Sequence, residues 1–168
     1  MTTREPGGTE VGERVRRILL AREHEEMLPL SELFLFMVSR AQHTHEVILP
    51  ALREGKTILT SRYRLSSMAY QGYGRGLDLD LIRSLNDAAT EGREADITFL
   101  IDVPVNVALG RKRGEGDRIE REDETFYRRV RDGYLQLTEQ DPRTRIIDGT
   151  KPVEAVCADI VESLDLAF

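Results

Sequence analysis

The sequence predicts an α/β fold, in which a parallel sheet carries helices on both faces. Short β-rich runs alternate along the chain with segments whose apolar residues recur at helical spacing. Residues 97–101 form a continuous apolar run, which is typical of a buried parallel strand. Because the chain has 168 residues and neither repeats nor a linker, we expect one domain over residues 1–168.

In the first half of the chain, the pattern predicts a strand end, two helices, a strand and a helix at residues 1–3, 10–22, 31–54, 57–60 and 80–90. The first helix is indicated by apolar residues at helical spacing, namely Val11, Val15, Ile18 and Leu19. Ser31 is expected to cap the long second helix and Gly55 to end it, with a kink or an early end at Pro50.

In the second half, Pro104 is expected to open a helix that runs into the basic residues before Gly114. The polar residues 114–123 predict a mobile loop. The remaining elements are expected to be a helix, a strand and a closing amphipathic helix at residues 126–140, 145–147 and 152–164.

Composition excludes several classes of function. The net charge of −6 and the pI near 5.2 argue against a non-specific nucleic-acid partner, which requires a basic field. Neither an apolar run of membrane-spanning length nor a signal peptide is found, so no membrane partner is expected. Cys157 is the only cysteine, which excludes an intramolecular disulfide and favours a cytoplasmic protein.

Residues 61–76 hold the densest cluster of chemically useful side chains. They follow the predicted strand 57–60 and contain arginines, hydroxyls, an amide and a glycine-rich turn. In open parallel sheets, ligands bind outside the carboxyl ends of the strands. Cations, hydroxyls and amides at such an end suit a small, anionic, hydrogen-bonding ligand, and a nucleotide fits that description.

Four segments in register resemble bacterial thymidylate kinase: residues 3–9, 36–40, 66–72 and 114–120. The resemblance covers essentially the whole chain. It implies the P-loop NTPase-like fold of nucleoside monophosphate kinases. It also implies transfer of the γ-phosphoryl group of ATP to dTMP, giving dTDP for dTTP biosynthesis, with Mg²⁺ and as a homodimer. The long helix 31–54 is a candidate for the dimer contact.

The resemblance implies a role for each residue around the base. Phe36 is expected to stack on thymine, and Arg40 to hydrogen-bond a base carbonyl. Ser67 and Gln71 are expected to satisfy the remaining polar edge. The sequence agrees, because Phe36 and Arg40 are four residues apart and share one helical face. An aromatic platform beside a guanidinium suits a flat base that carries carbonyls.

The remaining acceptor-side roles are also implied by the resemblance. Tyr70 is expected to pack against the sugar, where a 2′-hydroxyl would not fit. Arg16 and Arg62 are expected to hold the 5′-phosphate, and Arg62 is counted with the catalytic residues. Glu5 is expected beside the sugar and the metal. Without the resemblance, core packing is the favoured interpretation of Phe36, and a solvated helix face is the usual interpretation of Arg16.

A lid at about residues 111–121 is implied for the ATP side. Its arginines Arg111, Arg113 and Arg118 are candidates to neutralise charge on the transferring phosphoryl group while the lid excludes water. The residues placed like the adenine-binding loop of the family are Asp148, Thr150 and Lys151.

Two departures from the family pattern stand out. No G-x-x-x-x-G-K-[ST] loop is present, and the chain begins where the second strand of the family is ending. We therefore expect that the chain is N-terminally truncated or wrongly started, and lacks a strand, loop and helix of about 30 residues. Loss of that central strand is expected to leave a gap in the sheet. The second departure is Ser61, which stands where the family has a metal-organising aspartate.

Three functions remain open on the sequence. The first is a thymidylate kinase shortened in this chain. The second is a non-catalytic relative that keeps the dTMP pocket but has lost ATP chemistry. The third is a related kinase with another base preference, against which Phe36, Arg40, Ser67, Tyr70 and Gln71 all argue.

Overall fold

The fold is that of a computed structural model, which describes residues 1–111, 114–139 and 141–165. Arg113, one of the expected lid arginines, lies outside these residues. The α-helices are α1 Glu10–Leu20, α2 Pro29–His43, α3 Leu49–Arg53, α4 Arg64–Ser67, α5 Leu79–Thr90, α6 Val105–Arg111, α7 Glu124–Glu139 and α8 Val153–Asp165. The strands are β1 Thr2–Arg4, β2 Leu59–Ser61, β3 Thr98–Asp102 and β4 Thr144–Asp148. The α/β prediction is confirmed.

The strands form two parallel pairs. β1 pairs with β2, and β3 pairs with β4. Within the described ranges, no ladder joins one pair to the other. Leu59, Ile101 and Ile146 are exposed on these strands, although parallel strands are usually covered on both faces. In each pair, the carboxyl ends of the two strands lie side by side. Because Arg4 pairs with Ser61, residue 5 lies beside residue 62.

The long second helix is interrupted, as Pro50 predicts. α2 passes into a π-helical turn, Thr44–Ile48, before α3 resumes. Proline has no N–H to donate and its ring clashes with the carbonyl four residues earlier, which the wider π turn avoids. The Leu49 N–H accordingly bonds to the Thr44 carbonyl, five residues back. The expected cap was wrong, because the helix begins at Pro29 and Ser31 lies within it.

The glycine-rich segment after β2 is helical, which corrects the predicted turn. α4 continues directly into a second π-helical segment, Met68–Gly74. This segment packs tightly against α7: a β-carbon at Gly74 would lie 2.7 Å from the Phe126 ring. Its glycines therefore allow close packing between helices.

The hydrophobic core lies between α2, α5, α7 and the Met68–Gly74 segment. Leu33, Ile82 and Phe126 are among its most buried members. The segment 114–123, predicted to be a mobile loop, packs against this core through the buried side chains Arg118 and Ile119. No helix in the described part of the chain combines the length and apolar character needed to cross a membrane.

We expect Gly133→Ala to destabilise the fold, because α7 meets the Met68–Gly74 segment at this residue. The new β-carbon would lie 2.4 Å from Tyr73 Cγ and 2.6 Å from Tyr73 Cβ, atoms too close to the backbone to move freely. Overpacking of this kind costs about 1–3 kcal/mol. Urea unfolding measures the loss.

Gly110→Ala is the matched control for this substitution. Gly110 also lies within a helix, but nothing lies within 4 Å of the added β-carbon. Alanine is expected to stabilise this position by about 0.5–1 kcal/mol, because glycine is the poorer helix former. Equal effects at both glycines would contradict the close contact with Tyr73.

Candidate functional site

One face of α2 carries three of the side chains that build the site. Glu32, Phe36 and Arg40 are spaced four residues apart and therefore lie in a row. The neighbouring α4 and π-helical segment runs antiparallel to this row: Arg40 Nη1 donates to Ser67 Oγ at 2.8 Å, and Gln71 Nε2 donates to Glu32 Oε1 at 2.8 Å. Phe36 lies between these two hydrogen-bonded pairs along α2. The structure thus brings together the four residues expected around the base.

Arg40 is the most highly connected side chain of the site. It is only 1% exposed and donates to four partners. Its Nε donates to Glu5 Oε2 at 2.7 Å, its Nη1 to Ser67 and to Asn86 Oδ1 at 2.5 Å, and its Nη2 to the Tyr63 carbonyl at 3.1 Å. A guanidinium has one more N–H than these four bonds use. That remaining donor is what Arg40 has to offer a ligand.

Glu5 is held on both carboxylate oxygens. Arg40 binds Oε2, and His43 Nδ1 lies 3.0 Å from Oε1. Burial alone would raise the pKa of Glu5, but the charge of Arg40 and the hydrogen bonds from His43 and Arg40 outweigh it and lower the pKa. His43 is itself fixed, because its Nε2 lies 2.7 Å from Thr3 Oγ1.

This arrangement does not fit direct ligation of Mg²⁺ by Glu5. Mg²⁺ prefers oxygen ligands with free lone pairs, usually one or two carboxylates together with substrate phosphates. Both oxygens of Glu5 already face donors, and the residues described contain no group of three or more potential metal ligands. Ser61, at the end of β2, adds no negative charge. Glu5 is therefore placed to pair with Arg40 and His43 and is not arranged as a metal ligand.

Glu32 is the second buried carboxylate of the site and was not identified from the sequence. Besides Gln71, it accepts hydrogen bonds from Arg75 Nε at 3.2 Å, Arg75 Nη2 at 3.0 Å and Arg118 Nη2 at 2.7 Å. Burial would raise the pKa of Glu32, but hydrogen bonds from Arg75 and Gln71, the charge of Arg75 and the bond from Arg118 together lower it. Arg118, expected in an exposed lid, is therefore an internal ion-pair partner here.

Arg62 and Tyr70 lie together at the carboxyl end of β2. The Arg62 guanidinium carbon is 4.9 Å from the centre of the Tyr70 ring, and Nη2 is 3.4 Å from the Tyr70 hydroxyl. Arg62 has a φ of 68°, a left-handed conformation that is unusual outside glycine. Strained backbone of this kind is concentrated at functional sites, where it aims a side chain.

Arg16 lies beside the Glu5 turn. Its Nη1 donates to the Pro6 carbonyl at 2.9 Å from the half-buried face of α1. Like Arg62, it therefore borders the carboxyl end of the β1–β2 pair. The two arginines expected on the phosphate thus flank the same end of the sheet.

The residues expected on the ATP side form a separate group after β4. Arg111 Nη1 donates to the Gly149 carbonyl at 2.7 Å, and Asp148 Oδ1 accepts from the Thr150 amide at 2.9 Å and hydroxyl at 2.6 Å. Lys151 is engaged with Asp159 of α8. Among the described residues, no hydrogen bond or ion pair joins this group to the cluster around Arg40.

Three supporting residues were missed by the sequence reasoning. They are Glu32, His43 and Asn86, all buried at 1% exposure or less. Glu32 had a usable signal, because it precedes Phe36 by four residues on the same helix face. His43 and Asn86 had none, because their partners Glu5 and Arg40 lie 38 and 46 residues away.

Comparison with known proteins assigns the family. The thymidylate kinase family model matches residues 1–160. The thymidylate kinase of Kosmotoga olearia is 49% identical over 98% of this chain and 80% of its own length. That of Trichormus variabilis is 48% identical over 96% of this chain and 79% of its own length.

A solved structure agrees. The crystal structure of thymidylate kinase from Ehrlichia chaffeensis superposes with a TM-score of 0.79 and 34% identity, covering 98% of this chain and 79% of that one. The fold is therefore that of the P-loop nucleoside monophosphate kinases. On the family match, the sequence relatives and the shared fold, the chain belongs to the thymidylate kinase family.

Proposed function

We propose that this chain binds dTMP in the family's acceptor site, the half of a thymidylate kinase that presents dTMP to ATP. One observation carries the proposal. Glu32, Phe36 and Arg40 form a row on α2 whose two ends are hydrogen-bonded to Gln71 and Ser67. This row places an aromatic ring between two polar groups, which is the arrangement that a pyrimidine with carbonyl edges requires.

The base is read by groups that the fold has already oriented. Phe36 stacks on one face of thymine, and the remaining N–H of Arg40 donates to a base carbonyl. Ser67 and Gln71 complete the polar edge. Arg40 is held by four hydrogen bonds, so little side-chain freedom is lost when dTMP binds.

The sugar and phosphate bind at the carboxyl end of the β1–β2 pair. Tyr70 packs against the deoxyribose, with Arg62 already stacked over its ring. Arg62 and Arg16 supply charged donors to the 5′-phosphate, and such bonds contribute about 1.5–3 kcal/mol each. Glu5 precedes Pro6, whose carbonyl Arg16 binds, and the proposal places it beside the sugar.

Transfer of the γ-phosphoryl group of ATP to dTMP is the reaction of the family, and dTDP is its product. On the ATP side, the Arg111 contact with the 148–151 turn supports a role for Asp148, Thr150 and Lys151 beside the adenine. Bound ATP·Mg²⁺ would supply the phosphoryl group and its counter-charge. Arg111 and Arg113 then remain the lid candidates for the phosphoryl group, because Arg118 is paired with Glu32.

The expected cytoplasmic location is part of this proposal.

The homodimer expected from the family also belongs to the proposal. Leu30, Phe34 and Val38 form an exposed apolar row on α2, at 40%, 48% and 48% exposure. Each lies two residues along α2 from a member of the Glu32–Phe36–Arg40 row. A step of two residues corresponds to a rotation of about 200° around the helix axis, so the two rows lie on nearly opposite faces. One face of α2 therefore serves the ligand, while the opposite face is available for a second copy of the chain.

We expect Phe36→Ala to weaken dTMP binding. Stacking of a base on an aromatic ring contributes about 1–3 kcal/mol, which corresponds to an increase in Kd of about 5- to 150-fold. Isothermal titration with dTMP measures the change. Phe34→Ala is the matched control, because it removes the same ring from the opposite face and is expected to leave Kd unchanged. Unchanged binding in Phe36→Ala would contradict the proposed base site.

We expect a polypeptide of these 168 residues to form no measurable dTDP from dTMP and ATP. It contains no Gly-rich loop with a lysine to hold the β- and γ-phosphates, and it has Ser61 in place of an aspartate. Chromatographic detection of dTDP tests this. Binding of dTMP without turnover also fits the non-catalytic relative. Turnover that survives repeated purification and is lost in Phe36→Ala would refute the expectation.

Val38→Glu is expected to shift the protein from dimer to monomer, because the dimer would bury a charge within the apolar row. Light scattering after size-exclusion chromatography at a series of concentrations measures the mass. Leu81→Glu is the control, since Leu81 is similarly exposed on α5 but lies outside the row. A mass that is the same for wild type and Val38→Glu would count against this dimer face.

A further inference from the structure

We propose that Glu32 determines which pyrimidine the site accepts, because it fixes the orientation of the Gln71 side-chain amide. Glu32 touches no substrate in this scheme and is a positioning residue. The inference rests on the proposed function, since it requires a base that lies against Phe36 and Gln71.

The hydrogen bond between Gln71 and Glu32 can have only one direction. Gln71 Nε2 donates to Glu32 Oε1 at 2.8 Å. An ionised carboxylate can only accept hydrogen bonds, so the NH₂ group of Gln71 must face Glu32. Gln71 Oε1 is therefore directed away from the carboxylate. Within the part of the chain that the structure describes, no hydrogen bond to Gln71 Oε1 is made, which leaves it available as an acceptor.

Glu32 is itself immobilised by two arginines. Arg75 donates to both carboxylate oxygens, and Arg118 donates to Oε2. Glu32 is 1% exposed, and Arg75 is further held by Glu122 at 2.6 Å. A buried carboxylate between two guanidinium groups stays ionised, and its lowered pKa is consistent with this. The acceptor that orients Gln71 is thus present throughout the neutral pH range.

A Gln71 side-chain amide that is fixed in this orientation distinguishes between the pyrimidine bases. Thymine and uracil carry an N3–H donor next to a carbonyl. Gln71 Oε1 can accept from that N–H, while the second Nε2 proton can donate to the carbonyl. Cytosine presents the reverse pattern, with an unprotonated N3 and an amino group at C4. Because Glu32 prevents the amide from turning over, cytosine would leave two buried polar groups unpaired, which is the strongest basis for rejecting a ligand.

Glu32→Gln tests the proposal without a large change in volume. The carbonyl of the new amide is drawn to the two N–H groups that now bind Oε2, from Arg75 and Arg118. Its NH₂ group then takes the place of Oε1, where it cannot accept from Arg75 Nε and faces Gln71, which must turn over to accept from it. We expect the ratio of the Kd for dCMP to the Kd for dTMP to fall by about tenfold or more, through weaker dTMP and stronger dCMP binding.

The ratio of the Kd for dCMP to the Kd for dTMP distinguishes a positioning role of Glu32 from a role in stability alone. A substitution that merely loosens the fold weakens both ligands and leaves the ratio unchanged. Glu122→Gln is the matched control, since it removes the other carboxylate from Arg75 without touching Gln71, and it is expected to keep the wild-type ratio. If wild type binds dTMP and Glu32→Gln keeps the ratio, the inference is overturned although the proposed function stands. If wild type binds no dTMP, the proposed function fails and the inference with it.

A second measurement applies if Glu32→Gln does not fold. In wild type labelled with ¹⁵N-glutamine, the Gln71 amide protons are expected to exchange with solvent at least about tenfold more slowly than those of the exposed Gln136. Binding of dTMP should leave the Gln71 protons protected. Exchange of the Gln71 amide as rapid as that of Gln136 would overturn the proposal.

Discussion

The site depends on how one buried guanidinium is neutralised. Arg40 lies inside the protein, and a charge in that environment is tolerated only when it is paired and hydrogen-bonded. Its partners are Glu5, Ser67, Asn86 and the Tyr63 carbonyl, which come from three different parts of the chain. Removing one partner of a buried pair typically costs about 3–5 kcal/mol. The positions of β1, α4 and α5 around α2 are therefore coupled to this one side chain.

The two faces of the second helix differ because of the spacing of its residues. Every fourth residue from Glu32 to Arg40 faces the interior, whereas the row from Leu30 to Val38 faces outward. The π-helical turn before Pro50 lets the helix continue past a proline. His43, the last residue of α2, lies directly before that turn and reaches Glu5.

The residues expected on the dTMP side are more closely connected to one another than the residues expected on the ATP side. On the dTMP side, side chains from distant segments are joined by buried ion pairs. On the ATP side, Arg111 and the turn after β4 form a group of their own. One contact between α2 and the 114–123 segment is the pair of Glu32 with Arg118. That pair connects the residue that orients Gln71 to the segment expected to close over ATP.

The sequence by itself determined the α/β class and the order of most elements, and its resemblance to the family predicted the residues around the base. Periodicity sufficed for α1 and α5, and the spacing of Phe36 and Arg40 was enough to put them on one face. The tertiary structure alone decided that residues 64–74 are helical, that Arg118 is internal, and that Glu32 and His43 support the site. The physical reason is that a charged residue in a sequence resembles a surface residue until its partner is known. Burial of such a charge depends on partners that only the folded chain brings within hydrogen-bonding distance.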